Sequence, residues 1–488
     1  MRLSRLSRRD ALRLTGAGAG ALVLAACGGG SAAPTASAPT AAAKGGAEVP
    51  AKPAEPAAAA KAPAEAPKPA AATTPAAAKP AGAPAAAEVT FWGHNHVPRV
   101  ELDKEVLATF LKENASAKVE YVAVPQEYEV KLTAAMASGT GPDGYNISNG
   151  WSYPYMAKGL AAELDPTPWG QSTAMAVANL YVDGAHEGHI YQGKLYGVVS
   201  EYSNYSMFWN TKIGKAAGLD LEKEPPKSWD DVVEYSKKMV KREGDTLTQR
   251  GFDFTYMTQQ GRSTSPVHTL LGMAYQLGGE FFTSDRKATS MNSEPFIRAM
   301  QFQQDFIYKE KLGSPALLGS NGAFREGTVA GSLVGFWFIP QTKKDFPDVG
   351  NNFTVKPFPQ MKDAKRKSGA AVYTYGRMVN SKSNEAARTI MWKLHKAWAD
   401  NPGVILDRTG LLQPKKDFVS TDAFKKIENL PVFLDDAVGS TFSISHNNSI
   451  EITNALIRAM ERITQEKADV KTSLEQGKKE IDDIISKG

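Results

Sequence analysis

From residue 88 onward the chain alternates between two hydrophobic periods. Glu88-Val-Thr-Phe-Trp92 alternates with period two, which predicts a strand. Val106, Leu107, Phe110 and Leu111 fall on one helical face, and Lys118-Val-Glu-Tyr-Val-Ala-Val124 returns to the strand pattern. Such a β-α-β opening is expected to form parallel strands with a right-handed crossover. Gln126 to Ala137 reads as a second helix, ended by Gly139-Thr-Gly141-Pro142. In Pro225-Pro226-Lys-Ser228-Trp229-Asp230-Asp231, Ser228 caps a helix whose first turn is acidic. Trp229, just inside that start, reads as core rather than site. The tail from Ser449 to Ile485 is amphipathic helix, with Leu456, Ala459, Met460 and Ile463 on one face and Val470, Leu474, Ile481 and Ile485 on another. No internal repeat appears at a short fixed period. An α/β body of some 400 residues exceeds one comfortable core, so two lobes are expected.

Before residue 88 the pattern is absent. The 60 residues Gly28–Ala87 hold 28 Ala and 11 Pro, with no Leu, Ile, Phe, Tyr or Trp. Too little apolar surface is available there to offset the entropy of ordering, and recurrent Pro favours an extended stalk. Ahead of it, a charged stretch leads into the apolar run Leu14–Ala26, which is too short to span a bilayer but suits a signal-peptide core. Ser7-Arg8-Arg9-Asp10-Ala11-Leu12-Arg13 resembles a twin-arginine export signal, with Ala11 where an aromatic residue is usual; the general secretory route is the alternative. Leu24-Ala25-Ala26-Cys27 resembles a bacterial lipobox, which implies that Cys27 is acylated and becomes the mature N-terminus. The expectation is an exported protein, lipid-anchored through Cys27 at the extracytoplasmic face of a membrane.

Charge sharpens this division. The formal net charge is +5, from 57 Lys and Arg against 52 Asp and Glu. Five Arg against Asp10 in the first 26 residues, and five Lys against three Glu over 28–87, leave −1 for the 401 residues that follow. A nucleic-acid binder should carry a basic folded domain, so nucleic acid is not an expected partner. With Cys27 as the single cysteine, no intrachain disulfide and no Cys-rich zinc site can form. His94-Asn95-His96 and His186-Glu187-Gly188-His189 lack the companions or spacing of a metal site, so no metal is expected; the second reads as loop. Neither a Gly-x-Ser-x-Gly elbow nor a phosphate-binding Gly-x-x-x-x-Gly-Lys-Ser/Thr loop occurs, and no cofactor is expected. Paired carboxylates of a glycoside hydrolase can lie far apart in sequence, so an exported enzyme stays open as the alternative.

A family resemblance rests on short segments in a fixed order. They are Ala134-Ala-Met-Ala-Ser-Gly-Thr-Gly-Pro-Asp143, Gly159-Leu-Ala-Ala-Glu-Leu-Asp165, Gly193-Lys-Leu-Tyr-Gly197, Trp209-Asn-Thr-Lys212 with Ala217-Gly-Leu219, and Pro225-Pro-Lys-Ser-Trp-Asp230. Then come Phe324-Arg-Glu-Gly327 leading to Gly335-Phe-Trp337, Val379-Asn380-Ser-Lys-Ser383, and Thr409-Gly-Leu-Leu-Gln-Pro414 before the helical C-terminus. Across residues 88–488 the chain resembles extracellular solute-binding proteins of ABC importers, in the maltose-binding-protein-like, carbohydrate-type class. It departs at Val199, where that family usually has Pro after Gly-Val.

The resemblance implies a two-lobe α/β fold with the ligand cleft between lobes joined by hinge crossovers. The first lobe would comprise 88–198 and 376–438, and the second 199–375 and 439–488. Crossings are expected near Val198–Asn204, Ala370–Gly376 and Gly439–His446. The implied role is a non-enzymatic receptor that captures a sugar or oligosaccharide by closing and delivers it to permease subunits; a non-sugar solute is the alternative within the fold. Sugar rings offer C–H faces to aromatic residues and hydroxyls to polar ones, and open α/β sheets bind ligands at strand carboxyl ends. Candidate ligand contacts are therefore Trp92, His94, Asn95 and His96 after the first strand, and Asn149 and Trp151 after a later one. Glu201, Tyr202 and Asn204 lie on the first crossing, Tyr373, Tyr375 and Arg377 on the second, and Trp337 ends the Gly-Phe-Trp match. Alternation with Val89 and Phe91 turns Trp92 to the opposite face, which gives it a core role as the alternative. Arg377 in a cleft suits a carboxylate or phosphate on the solute; pairing with a neighbouring acid is its alternative.

Overall fold

The computed structural model describes residues 87–125, 127–252, 254, 265–314 and 320–487. Cys27 and the Ala/Pro stretch as far as residue 86 lie outside them, and Ala87, the last residue of that stretch, opens the first strand. Two sheets organise the described residues. The first contains β1 (Ala87–His94), β2 (Ala117–Val124), β3 (Gly144–Ser148), β4 (Gly197–Ser203) and β8 (Tyr373–Val379), in the order β2-β1-β3-β8-β4. The second, in the order β6-β5-β7, contains β5 (Ser206–Asn210), β6 (Gly331–Val334) and β7 (Phe353–Lys356), all antiparallel.

The opening forms as its periodicity predicts. β1 pairs in parallel with β2 and β3, and the helices Val97–Glu113 and Tyr128–Ser138 make the crossovers. Gly139, in the left-handed region at φ 77°, ends the second helix. β1 runs two residues past its alternating segment, because parallel pairing with β2 continues to His94 opposite Val124. Ser228 and Asp231 form a reciprocal capping box, and Trp229 is buried among Phe252, Phe254, Phe302 and Phe358 at centroid distances of 5.3–6.0 Å. Both predicted faces of the C-terminal helices, Ser449–Thr464 and Val470–Ser486, enter this same core.

The chain passes three times between the sheets. Asn204 and Tyr205 join β4 to β5, and residues 370–372 lead back into β8. The chain returns between Pro414, whose carbonyl accepts from the Val182 N–H on the first sheet's side, and the helix Leu430–Ala437 on the second. The expected crossing at 439–446 instead runs on the second sheet's side, alongside 370–372. Val372 and Phe442 form a parallel bridge there, with the Ser443 N–H donating to the Val372 carbonyl at 2.8 Å. The helix Leu430–Ala437 packs Phe433 against Phe208 of β5 and Phe336.

Strand alternation and length relocate four of the candidate site residues. Arg377 lies two residues past Tyr375, about 7 Å farther from the crossing at the strand rise. It does not reach the cleft: its guanidinium donates to Asp103 at 2.7 Å and stacks over Trp398 at 4.4 Å, with both partners of the ion pair buried. Asp103 also faces Arg99 at 3.8 Å. Trp92 packs with the cluster around Tyr145 and Ile147, while its carbonyl accepts from the Tyr128 hydroxyl at 2.9 Å. Tyr202 alternates with Glu201 and turns away from it, toward Leu406 and Leu412. Asn204 is buried and donates its amide to the Phe433 carbonyl at 3.0 Å, fastening the first crossing to the helix Leu430–Ala437.

Val199 also acquires a structural reason. Its N–H donates to Nε2 of buried His186 at 3.1 Å, a bond that proline could not make. His186 and His189 bracket a short 3-10 turn, and burial holds His186 down at about 3, in the neutral form that can accept.

Both contacts can be tested through stability. Asp103→Ala leaves two guanidiniums buried without their carboxylate and should cost about 3–5 kcal/mol in denaturant unfolding. Val199→Pro orphans the His186 nitrogen and should cost about 1–3 kcal/mol; an unchanged midpoint would show that this bond does not support the fold.

Candidate functional site

A cleft of about 340 Å³ lies between the two sheets, where β1 and β3 end at their carboxyl edges. From the first sheet's side it is lined by His94, Asn95 and His96 after β1, by Ser148, Asn149, Gly150 and Trp151 at the β3 end, by Glu129, and by Glu201 of β4. Tyr373 and Tyr375 of β8 form its base, Tyr205 comes from the first crossing and Ser443 from the segment beside the second, and His268, Trp337 and Leu411 complete it. The helix Asn149–Ala157 begins directly at the end of β3, which places Asn149 and Trp151 at the cleft.

Its rings hold one another. The Trp337 indole N–H donates to the Tyr373 hydroxyl at 2.8 Å. Tyr373 stacks on His268 at 5.1 Å with a 6° interplanar angle, and Tyr205 lies 5.4 Å from Tyr373. His94 packs on Tyr375 at 4.5 Å, and His96 meets Trp337 edge-on at 6.4 Å. Polar groups stand between these rings. The Tyr375 hydroxyl donates to Glu129 at 3.3 Å, and Asn149 Oδ1 accepts from the Thr374 N–H at 3.1 Å. Asn149 Nδ2 and His268 Nδ1 are buried without a hydrogen-bond partner in the protein. Buried polar atoms usually have one, so these two are exceptions among the residues that line the cleft.

Burial sets the charge state of the cleft. It pushes the Glu201 carboxyl up to about 7, against the pull of Arg99 and the Tyr373 phenol, and it raises Glu129 as well. Burial also lowers His96 and His268 to about 3 and holds His94 well down, with Arg99 adding to its effect on His94 and His96. Among the described residues, no Lys or Arg lines the cleft. It presents rings, amides and carboxyls that burial shifts toward their protonated forms, a surface suited to hydroxyl-bearing solutes and poor in partners for an anion.

Of the residues singled out from sequence, His94, Asn95, His96, Asn149, Trp151, Glu201, Trp337, Tyr373 and Tyr375 come together here. Trp92, Tyr202, Asn204 and Arg377 do not, for the reasons above. The cleft adds Glu129, Ser148, Gly150, Tyr205, His268, Leu411 and Ser443. Ser148, Gly150 and Tyr205 are chain neighbours of selected residues, Leu411 lies in the Thr409–Pro414 motif, and Ser443 lies on the expected third crossing. Glu129 and His268 sit within helices and carried no comparable signal. Among the described residues, no group of three or more His, Cys, Asp or Glu is arranged to hold a metal.

The histidines make stability depend on pH. All seven are depressed below 6.5, chiefly by burial, so below that pH the unfolded chain binds protons that the folded chain refuses. Glu201, Glu129 and Asp436, the last raised to about 6, act in the opposite sense because their folded forms retain protons. Seven groups outweigh three, so Tm should fall as pH drops from 7 toward 5. A calorimetric Tm that holds or rises over that range would contradict this balance.

Comparison with known proteins places this geometry in a family. The model for bacterial extracellular solute-binding proteins matches residues 94–394. An arabinooligosaccharide-binding protein of Halalkalibacterium halodurans is 23% identical over 284 residues, covering 56% of this chain and 59% of the relative, so the match spans less than two thirds of that protein. Among solved structures, an ABC transporter solute-binding protein from Thermotoga lettingae bound with α-D-tagatose superposes with a TM-score of 0.71 at 17% identity, over 82% of this chain and 99% of that one. A maltose/maltodextrin-binding domain from Bdellovibrio bacteriovorus bound to maltotriose gives a TM-score of 0.70 at 17% identity, over 82% and 100%. These likenesses establish the two-lobe binding-protein fold, and the match over most of the body establishes that the chain belongs to the bacterial extracellular solute-binding protein family.

Proposed function

We propose that this protein is an extracytoplasmic receptor that captures a sugar or oligosaccharide between its lobes and delivers it to the permease of an ABC transporter. The observation that carries the reading is the cleft itself: Trp151, Tyr205, Trp337, Tyr373 and Tyr375 beside Asn149, Glu129 and Glu201, with no Lys or Arg among the described residues lining it. Aromatic faces pack on sugar C–H surfaces, and the amides and carboxyls accept from or donate to hydroxyls. The sugar ligands named for the relatives support the same class. In this reading one lobe is built on the first sheet, with all of β4 and β8, and the other on the second sheet with the helices Leu430–Ala437, Ser449–Thr464 and Val470–Ser486. The boundaries expected at 198/199, 375/376 and 438/439 therefore move to about 204, about 372 and the stretch 415–429. Solute contacts to both lobes favour the closed arrangement, and no chemical step is needed. Cys27, at the end of the signal-like segment, carries the lipid that holds the receptor at the membrane, and the Ala/Pro stretch serves as its tether.

The displacement of Arg377 into an internal ion pair narrows the solute to neutral or hydroxyl-rich species rather than sugar acids or phosphates. Isothermal calorimetry against a panel of neutral mono- and oligosaccharides should show binding, while sugar phosphates give no heat. Binding of peptides or polyamines with silence from every sugar would remove the carbohydrate assignment. Trp337→Ala should weaken the best sugar about tenfold, the equivalent of about 1.4 kcal/mol, while shifting Tm by only a few degrees. An unchanged affinity with a large loss of Tm would make Trp337 a core residue.

A further inference from the structure

Trp337 meets the opposite lobe backbone to backbone, at a glycine. It follows β6 and opens the helix Phe338–Asp345, whose Phe338 packs on Phe208 of β5, so it belongs to the second sheet's side. Gly410 ends the helix Pro402–Thr409, with its N–H on the Leu406 carbonyl at 2.8 Å. That helix is fixed to Val97–Glu113, on the first sheet's side, by the paired bonds of Arg408 to Glu105 at 2.6 and 2.8 Å and by contacts among Leu102, Ile405 and Leu411. A Cβ built on Gly410 would stand 2.5 Å from Trp337 Cα, 2.9 Å from the Phe336 carbonyl oxygen and 3.0 Å from Trp337 N. All three are main-chain atoms, so no rotamer change relieves the overlap. A second glycine, Gly335, lies under the indole: a Cβ there would come within 2.2 Å of Trp337 Nε1. The ring folds over it to reach the Tyr373 hydroxyl.

We propose that Gly410 is a positioning residue for solute binding: its missing side chain lets the lobes close until Trp337 seats over the cleft. The inference rests on the closure described under the proposed function. A side chain at 410 collides in the observed arrangement, with Trp337 over the cleft, and drawing the two segments apart would relieve it. Any variant there also meets the left-handed backbone at φ 70°, a penalty present whether the lobes are open or closed. Gly139 supplies the control, since it has φ 77° and a Cβ placed on it would meet nothing within 4 Å. Gly139→Ala therefore carries the backbone penalty without the collision.

The test uses the full chain with Cys27→Ser and spin labels at Glu101→Cys and Lys344→Cys, which line opposite walls of the groove between Val97–Glu113 and Phe338–Asp345. Pulsed electron-electron resonance is run with and without arabinotriose or maltotriose. The parent and its Gly139→Ala variant should populate a short interlobe distance; Gly410→Ala should lose that population. In calorimetry, whichever sugar binds the parent should bind Gly410→Ala at least tenfold more weakly and Gly139→Ala within about twofold. Retention of the short distance by Gly410→Ala, or its absence from the parent under every condition, overturns the proposal. If neither sugar binds the parent, that counts against the choice of sugar, and the distance measurement still decides the role of Gly410.

Discussion

The architecture depends on one inserted strand. β8 arrives from the second sheet's side and hydrogen-bonds between β3 and β4, antiparallel to both. Without it, the parallel β2-β1-β3 group and β4 would share no edge. Its pairing with β4 shifts register between Tyr375 and Gly376, and that irregularity falls where the strand leaves the cleft for the interior. Tyr373 and Tyr375 lie on the cleft side of the shift and Arg377 beyond it. One strand thereby supplies the aromatic base of the cleft and the cation that anchors Asp103 of the helix Val97–Glu113.

Much of this was legible from local pattern. The period-two and helical stretches of the opening, the Ser228 cap, and the paired faces of the C-terminal helices are set by neighbours in sequence, and they form where the pattern places them. The cleft was legible where it uses strand ends: His94, Asn95 and His96 follow β1, and Asn149 and Trp151 follow β3. It was illegible where position along or across a strand decides exposure. Arg377 shares a strand with Tyr375 but lies too far along it, and Tyr202 adjoins Glu201 but faces the other way. Glu129 and His268 reach the cleft through the packing of their helices on the sheets, a long-range outcome with no local marker. Val199 shows the reverse case, in which a departure from a family pattern reflects a specific hydrogen bond to His186.

The cleft's electrostatic character follows from how thoroughly it is dried. A buried imidazole is easiest to hold neutral, and a buried carboxyl is easiest to hold protonated, unless a partner stabilises the charge. The fold keeps the ion-paired Arg99, Asp103 and Arg377 packed behind the cleft, and among the described residues no Lys or Arg lines the surface a solute would meet. Recognition at such a surface depends on shape and on hydrogen-bond directions rather than on long-range attraction.

The bridge between Val372 and Phe442 has a mechanical consequence. The second connection between the sheets is tied by main-chain hydrogen bonds to the segment 439–446 beside it, so the two resist sliding past each other. A link braced in this way works as a door hinge rather than a ball joint. Swinging about one axis stays easy, whereas twisting one half against the other would have to break the ladder between them.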